Sequence, residues 1–496
     1  MMPRTTELEE LDRIIHATRP DQLFAIDACT GVSITYGELQ ARTSAIATSV
    51  TSALMKDKNC VILSISDQYL FTLVYLSLFR AGVCVVPCSP ASTASAIDRI
   101  AQMAGAGAVV ADRTISSQVP LIDAAAVSRV ALNRGVVPQT KWRQTAGNAV
   151  TLFTSGTTST PKGVRLGASG MLANATDFAA AVGISSARLL GLLPMHHTNA
   201  QIANILVPVV TGSTIICGGQ YNITALSRLW GQIEEFGVNY VDVVPTIIHT
   251  LLRLPPNQAP RLASLRYFIC GAAPVKAADL ILFQEMYGVE VLQEYGLSEA
   301  TCFSSVERPA ARRLGTVGIA LRRNEIEVRD EFGQRLGSDQ VGEVFIRGEY
   351  TMLGYVGGDA ASYNLTVDED GWLETGDLGS IDPEGYLQIV GRKKDVIIKG
   401  GLTIMPADIE EVATLESTVA EAAAVGVSDD YYGEKIWLFV SVRAQALDYN
   451  SLHSLLHAGL PPEMQPDRVV AVSEIPRTDS GKVRRQLLRN QYSTPK

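Results

Sequence analysis

At 496 residues the chain is longer than one hydrophobic core supports, so two or three domains are expected. Its 47% hydrophobic and 19% charged residues exclude a disordered chain, and a formal charge of -9 without a long basic run argues against a nucleic-acid partner. No apolar stretch reads as a signal or a membrane span, and 7 cysteines without a C-x-x-C spacing suggest reduced core residues in a cytoplasmic protein.

The first hundred residues alternate helix and strand patterns: a helix opening at 35–39, a strand at 60–64, a helix over 71–81 and a strand at 83–86 before Pro87. A further apolar strand, 150–153, runs into Thr154, Ser155, Gly156, Thr157 and Thr158, followed by Pro161, Lys162 and Gly163. Small hydroxyl residues beside a glycine let N–H and O–H donors converge on one anion, and Lys162 adds a mobile cation. That is the chemistry of a triphosphate cradle, although the G-x-x-x-x-G-K-[ST] spacing is absent. Taken alone, the stretch reads more readily as a Ser/Thr-rich surface turn, and the later segments reverse that balance.

Three more apolar strands run into loops. Residues 240–244 lead to Pro245 and Thr246, and 267–270 lead to Gly271, Ala272, Ala273 and Pro274. Residues 289–292 lead to Glu294, Tyr295, Gly296, Leu297, Ser298 and Glu299. The intervening segments carry apolar stripes at helical spacing, Leu226, Leu229, Trp230, Ile233 and Phe236, then Leu280, Phe283 and Tyr287. A parallel sheet with crossover helices follows, its four loops facing one crevice beyond the carboxyl ends of the strands.

From residue 324 short strands and tight turns predominate. After the charged junction 391–395 comes a small α/β unit: a strand at 396–398, a helix over 407–414, strands at 422–427 and 436–442, and a last helix near 452. The expected architecture is α/β, with a large N-terminal region (1–391) of parallel sheets, crossover helices and a β-rich subdomain. A small mobile C-terminal α/β domain (392–496) follows it.

Together these loops resemble the acyl-adenylate-forming superfamily, which includes acyl-CoA ligases, luciferases and the adenylation domains of peptide synthetases. TSGTTSTPKG resembles its phosphate loop and YGLSE its adenine, α-phosphate and magnesium segment. TGD, GRKKD and PRTDSGK resemble its ribose, hinge and catalytic-lysine motifs, and all five stand in the family's order between Thr35 and Arg485. The resemblance implies that Lys162 and the hydroxyls of Thr154 to Thr158 hold the β- and γ-phosphates, and that Glu299 holds Mg²⁺. Ser298, where Thr is usual, would touch the α-phosphate. It further implies that Gly271, Ala272, Ala273, Glu294, Tyr295 and Gly296 line the nucleotide, that Asp377 and Arg392 hold the ribose, and that Lys482 bridges carboxylate and α-phosphate. Such groups suit a reaction that brings two anions together.

GAAP at 271–274, and Lys399, Gly400 and Gly401 before Ile404 and Pro406, resemble the acyl-CoA ligase branch. LPMHHTN resembles that branch's gate, with His197 at the histidine position and His196 where an aromatic is usual. No aspartate follows the gate, as it would in an enzyme gripping an α-amino group. The implied acid pocket contains His196, His197, Asn199, Val244, Thr246 and Leu297. Lys399 to Gly401 would face CoA, and Lys394 would be the hinge. Ser159 stands where a third loop glycine is usual, and Leu402 and Thr403 where Glu and Asn are, which leaves the acceptor tunnel open to question. The expected activity is ATP- and Mg²⁺-dependent conversion of a small or polar carboxylic acid to acyl-AMP, then to a CoA thioester. Transfer to a separate carrier protein is the alternative, and a nucleotide-binding regulatory protein the reading from another class.

Overall fold

Thr35 starts the helix Tyr36–Ser52 by accepting from the Glu38 N–H, while the Glu38 carboxylate accepts from the Thr35 N–H, a reciprocal capping box. The strand expected at 60–64 is Cys60–Ser64, and the helix expected after it runs Gln68–Arg80 from an Asp67 cap. The computed structural model describes residues 7–133, 147–154, 162–256, 260–273, 275–356, 367–443, 446–478 and 481–492. Within it the chain divides into two compact units. One comprises Met1–Gly271, Val275–Ile326 and Ile346–Leu373; the other comprises Ala272–Pro274, Glu327–Phe345 and Glu374–Lys496.

The first unit carries two sheets, not the single sheet expected to collect all four loops. One sheet orders its strands Ile319–Ala320, Ser305–Val306, Glu290–Tyr295, Tyr267–Cys270, Tyr240–Val243, Arg188–Gly191, Thr214–Cys217, Leu23–Asp27 and Ser33–Thr35. From Glu290–Tyr295 to Leu23–Asp27 every pairing is parallel. The other orders Tyr355–Val356, Lys162–Gly167, Asn148–Thr154, Cys84–Pro87, Cys60–Ser64, Ala108–Ala111 and Leu121–Asp123. The strand entering the phosphate loop therefore belongs to a different sheet from the three strands that enter the other loops. An apolar run looks the same in either sheet; only the pairing separates them.

Six of the seven cysteines are buried and all are free thiols, with Cys60, Cys84 and Cys88 in one apolar cluster with Ile62, Val86 and Val109. The expected stripes face the core: Leu226, Leu229 and Ile233 on helix Ile223–Phe236, and Leu280, Phe283 and Tyr287 on helix Ala277–Tyr287, are buried.

In the second unit Leu373–Ile381 and Leu387–Arg392 pair antiparallel about the expected turn at Asp382 to Gly385. The C-terminal sheet orders Leu402–Ile404, Ile397–Lys399, Gly433–Val442 and Val419–Asp429, with Arg468–Val472 parallel to Gly433–Val442. The helix expected near 452 is Tyr449–Gly459, but it is not the last: Arg485–Tyr492 follows, its Leu488 buried with Phe439 and Ile475. The junction 391–395 lies inside this unit.

Candidate active site

Thr154 and Lys162 are partners across two antiparallel strands, so the register alone sets Lys162 opposite the residue that opens the hydroxyl-rich segment. Ser155, Gly156, Thr157 and Thr158 lie outside the described residues, as does the Thr154 side chain. A Cβ on Gly163 would lie 2.9 Å from the Phe153 ring, which keeps the position after Lys162 side-chain-free. The short strand Tyr355–Val356 continues this sheet against Val164 and Gly163. Its Tyr355 hydroxyl donates to Glu299 Oε1 at 2.9 Å, and Lys162 Nζ lies 5.4 Å from the same ring's centroid. One tyrosine thus holds the cation and the carboxylate expected at the phosphates in a single neighbourhood.

Glu299 stands on a short turn, Ser298–Ala300, made by close backbone approach. A Cβ on Gly296 would lie 1.5 Å from the Cys302 carbonyl oxygen, so only glycine lets the chain pass there. Thr301 then adopts φ 66 and ψ -61, and the Cys302 N–H donates to the Ala300 carbonyl at 2.8 Å, a tight γ-turn. That conformation strains a β-branched residue, and it is held by the buried Thr301 hydroxyl donating to the Tyr350 carbonyl at 2.6 Å. Met352 N–H also donates to the Glu299 carbonyl, so the strand carrying Tyr355 braces the turn from both sides. Ser298 Oγ is 3.4 Å from Thr198 Oγ1, and Tyr295 is buried.

The expected acid-pocket residues come from three elements. His197 caps the short helix Thr198–Gln201, which continues through a π-helical turn, Ile202–Leu206. Val244 caps the helix Pro245–Arg253, with Thr246 in its first turn, and Leu297 is the extended residue before Ser298. The His196 and His197 rings are 4.4 Å apart. Burial, reinforced by His197, pushes His196 down to about 3, so its imidazole is neutral near pH 7. Asn199 Nδ2 donates to Glu294 Oε1 at 3.2 Å, tying an expected acid-pocket residue to one expected at the nucleotide. A Cβ on Gly271 would lie 1.6 Å from that carboxylate oxygen, so Gly271 makes the room Glu294 occupies.

In the second unit Asp377 and Arg392 are cross-strand partners, with Arg392 Nε 2.8 Å from the buried Asp377 Oδ1. Lys399 is not a free cation: its Nζ donates to Asp467 at 2.8 Å. Gly400 and Gly401 turn with φ 59 and 80, and space around Gly401 is open to 4 Å. The junction is anchored on both sides of Lys394. Lys393 Nζ meets Glu343 at 2.6 Å and Glu374 at 3.5 Å, while Asp395 meets Arg485 at 3.5 Å. Lys482 is held by backbone bonds to Thr478. Its N–H donates to Thr478 Oγ1, its carbonyl accepts from the Thr478 N–H, and Arg477 pairs with Val483 across it.

The AMP-binding enzyme family matches residues 14–356, and its C-terminal domain family matches residues 408–482. The chain belongs to the AMP-binding enzyme family. The sulfoacetate–CoA ligase of Cupriavidus necator is 35% identical over 347 residues, 69% of this chain and 67% of that protein. The 4-coumarate–CoA ligase 5 of Oryza sativa subsp. japonica is 28% identical over 520 residues, 95% of this chain and 92% of its own length. The ATP-bound MatB of Rhodopseudomonas palustris superposes with a TM-score of 0.90 at 25% identity, covering 98% of this chain and 99% of MatB. This AMP-binding enzyme is an AMP-forming ligase of the acyl-CoA synthetase branch, using ATP and CoA with a carboxylic acid. Among the described residues, no helix is long and apolar enough to cross a membrane.

Three residues of this AMP-binding enzyme gave no motif signal: Tyr355, Thr301 and Arg485. Each bonds to a neighbour distant in sequence, so local pattern could not mark it. Only the turn composition around Gly296 hinted that the 296–302 segment must fold sharply.

Proposed function

We propose that Lys162, Glu299 and Ser298 bind and polarise the triphosphate while a small or polar carboxylate, lodged beside His196, His197, Asn199, Val244, Thr246 and Leu297, attacks the α-phosphorus. The observation that carries this reading is the Lys162–Tyr355–Glu299 arrangement: a cation and a hard-oxygen ligand fixed beside one loop. Glu299 offers a hard carboxylate oxygen, and a cation there would take further oxygen ligands from the phosphates. That donor set suits Mg²⁺, which when bound neutralises phosphate charge as pyrophosphate leaves.

Asp377, steadied by Arg392, accepts from the ribose hydroxyls, and Gly271 to Ala273 and Tyr295 flank the adenine. Lys482, presented by its closed turn, joins the carboxylate to the α-phosphate. In the second step the CoA sulfur attacks the acyl carbon, the C–O bond to AMP breaks, and Lys399 to Gly401 border the thiol's approach. The domains 1–391 and 392–496 exchange these roles by rotation about Lys394, in a junction whose glycine and charges can absorb a backbone change. Half-exposed Leu402 beside Gly401 also suits an apolar carrier-protein surface as the alternative acceptor. A cytoplasmic setting fits the free thiols.

The test is a panel of carboxylic acids assayed for AMP and pyrophosphate with and without CoA. Free thioester on adding CoA supports the ligase reading; AMP formation without thioester points to a carrier. Lys482→Ala should abolish acyl-AMP synthesis yet convert supplied acyl-AMP to thioester. Gly401→Leu should do the reverse, through strain at φ 80 more than through lack of space. Equal loss of both half-reactions in both variants would refute the two-pose mechanism.

A further inference from the structure

Behind the acid pocket lies a carboxyl group that no motif accounts for. Register places Asp242 beside Ile269, and Ile269 beside Leu292, so Asp242 shares a sheet face with Leu292 and with Glu294 two residues on. Both acids are buried, Asp242 at 5% and Glu294 at 6% exposure. Asn199, from the opposite loop, donates its amide to Glu294. Neither Asp242 oxygen completes a well-formed hydrogen bond among the described residues, although the Asn199 amide and the Val243 backbone lie close enough to favour its charged form, and the Asn199 carbonyl oxygen is buried without a partner there.

Buried polar atoms are almost always paired, and each unpaired one costs free energy unless a ligand completes it. Burial pushes the Asp242 carboxyl well above the usual carboxylate range, and the Glu294 carboxylate pushes it further. His196 is neutral and offers no compensating charge. Every substrate of this reaction brings a carboxylate of its own into the same water-poor crevice. A second anionic group would add like charge at short range, and an apolar tail would leave the acidic end unsatisfied.

We propose, resting on the acid-activating reading above, that the substrate is an amino-bearing carboxylic acid whose ammonium group lodges at the Asp242–Asn199–Glu294 end of the pocket. The gate loop's lack of an aspartate does not oppose this, because the acidic groups come from the sheet strands instead. The ammonium donates to Glu294, with Asp242 and the Asn199 carbonyl behind it as further acceptors, and the substrate carboxylate points toward the α-phosphate. A sulfonate or second carboxylate is disfavoured at this end, whatever such a group does in a relative.

The experiment measures binding by calorimetry, in which no turnover is needed. The full-length protein is titrated with 4-aminobutanoate, pentanoate and glutarate, and with phenylalanine and 3-phenylpropanoate. At least one ammonium acid should bind about 10-fold or more tightly than its matched alkanoate, the scale of one charge-assisted hydrogen bond. Glu294→Gln and the isosteric Asp242→Asn should shrink that ratio toward one, with folding confirmed by thermal melts. Failure of both ammonium probes to bind, an apolar or dianionic acid binding as well as its ammonium counterpart, or a ratio unchanged in both variants would overturn the proposal. The same probes are then assayed for AMP: ammonium acids that bind but yield none while another acid of the panel is activated would overturn this proposal, whereas no AMP from any acid would instead count against the acid-activating reading on which it rests.

Discussion

Replacing Gly296 by alanine tests whether backbone crowding fixes the turn that bears Glu299. The added Cβ would lie 1.5 Å from the Cys302 oxygen, 2.6 Å from its carbonyl carbon and 3.2 Å from Phe303 Cα. Ordinary contact requires more than about 3.2 Å, so the two chain segments must separate by roughly 1.5 Å or more. No side chain can rotate to make room, because the obstruction is backbone. Thr301 cannot yield either, since its γ-turn and its bond to Tyr350 hold Cys302 in place. Overpacking of this kind costs about 1–3 kcal/mol of stability, and a displacement near 1 Å at a catalytic carboxylate lowers rate by about 100-fold. We expect Gly296→Ala to fold with a lowered melting temperature and to lose about two orders of magnitude in ATP–pyrophosphate exchange. Gly271→Ala is the contrasting case. Its Cβ meets only the Glu294 side chain, which can rotate away, so stability should fall little while acid selectivity changes. A Gly296→Ala enzyme with wild-type melting and exchange would refute the claim that this glycine sets the turn.

Other expectations are simpler to state. Tyr355→Phe removes the donor to Glu299 and should lower exchange by roughly 10-fold, with a greater Mg²⁺ requirement, as titration of exchange against Mg²⁺ will show. Asp377→Asn should weaken AMP binding by about 10-fold or more in calorimetry while the melting temperature changes little, since Arg392 retains an amide oxygen to meet. His196 has a folded value near 3 against an ordinary 6.5, so as pH falls through that window the unfolded chain takes up a proton the folded one refuses. Its contribution is present above pH 6.5 and declines toward pH 3, by at most about 1.4 kcal/mol per pH unit, less what water at its partly exposed ring screens. Urea unfolding of wild type and His196→Phe between pH 7 and about 5 should therefore diverge steadily in the variant's favour; parallel curves would show the ring is not desolvated.

The sequence by itself determined the element rhythm and the order of the motifs, and it marked the candidates for the site. Hydroxyl-rich, Gly-rich and acidic loops after apolar strands are local features, and period and composition mark them. Lys162, Glu299, Asp377 and Lys482 stood out as candidates because each stands in a short segment whose chemistry is unusual for a plain turn. Tertiary structure alone decided that the phosphate-loop strand belongs to its own sheet, because strand partners are chosen by residues far away in the chain. It also decided that the Lys482 backbone is tied to Thr478 ahead of a packed helix. Tyr355 shows the limit most clearly. It lies 56 residues from the carboxylate it holds, in a two-residue strand whose pattern says nothing of the partner. The buried Asp242 is the complementary case: a lone acid in an apolar strand reads as an irregularity until the register sets it on the face that carries Glu294. Composition tells which groups a chain possesses, but the charge a site presents depends on which of them the sheet brings out of water together.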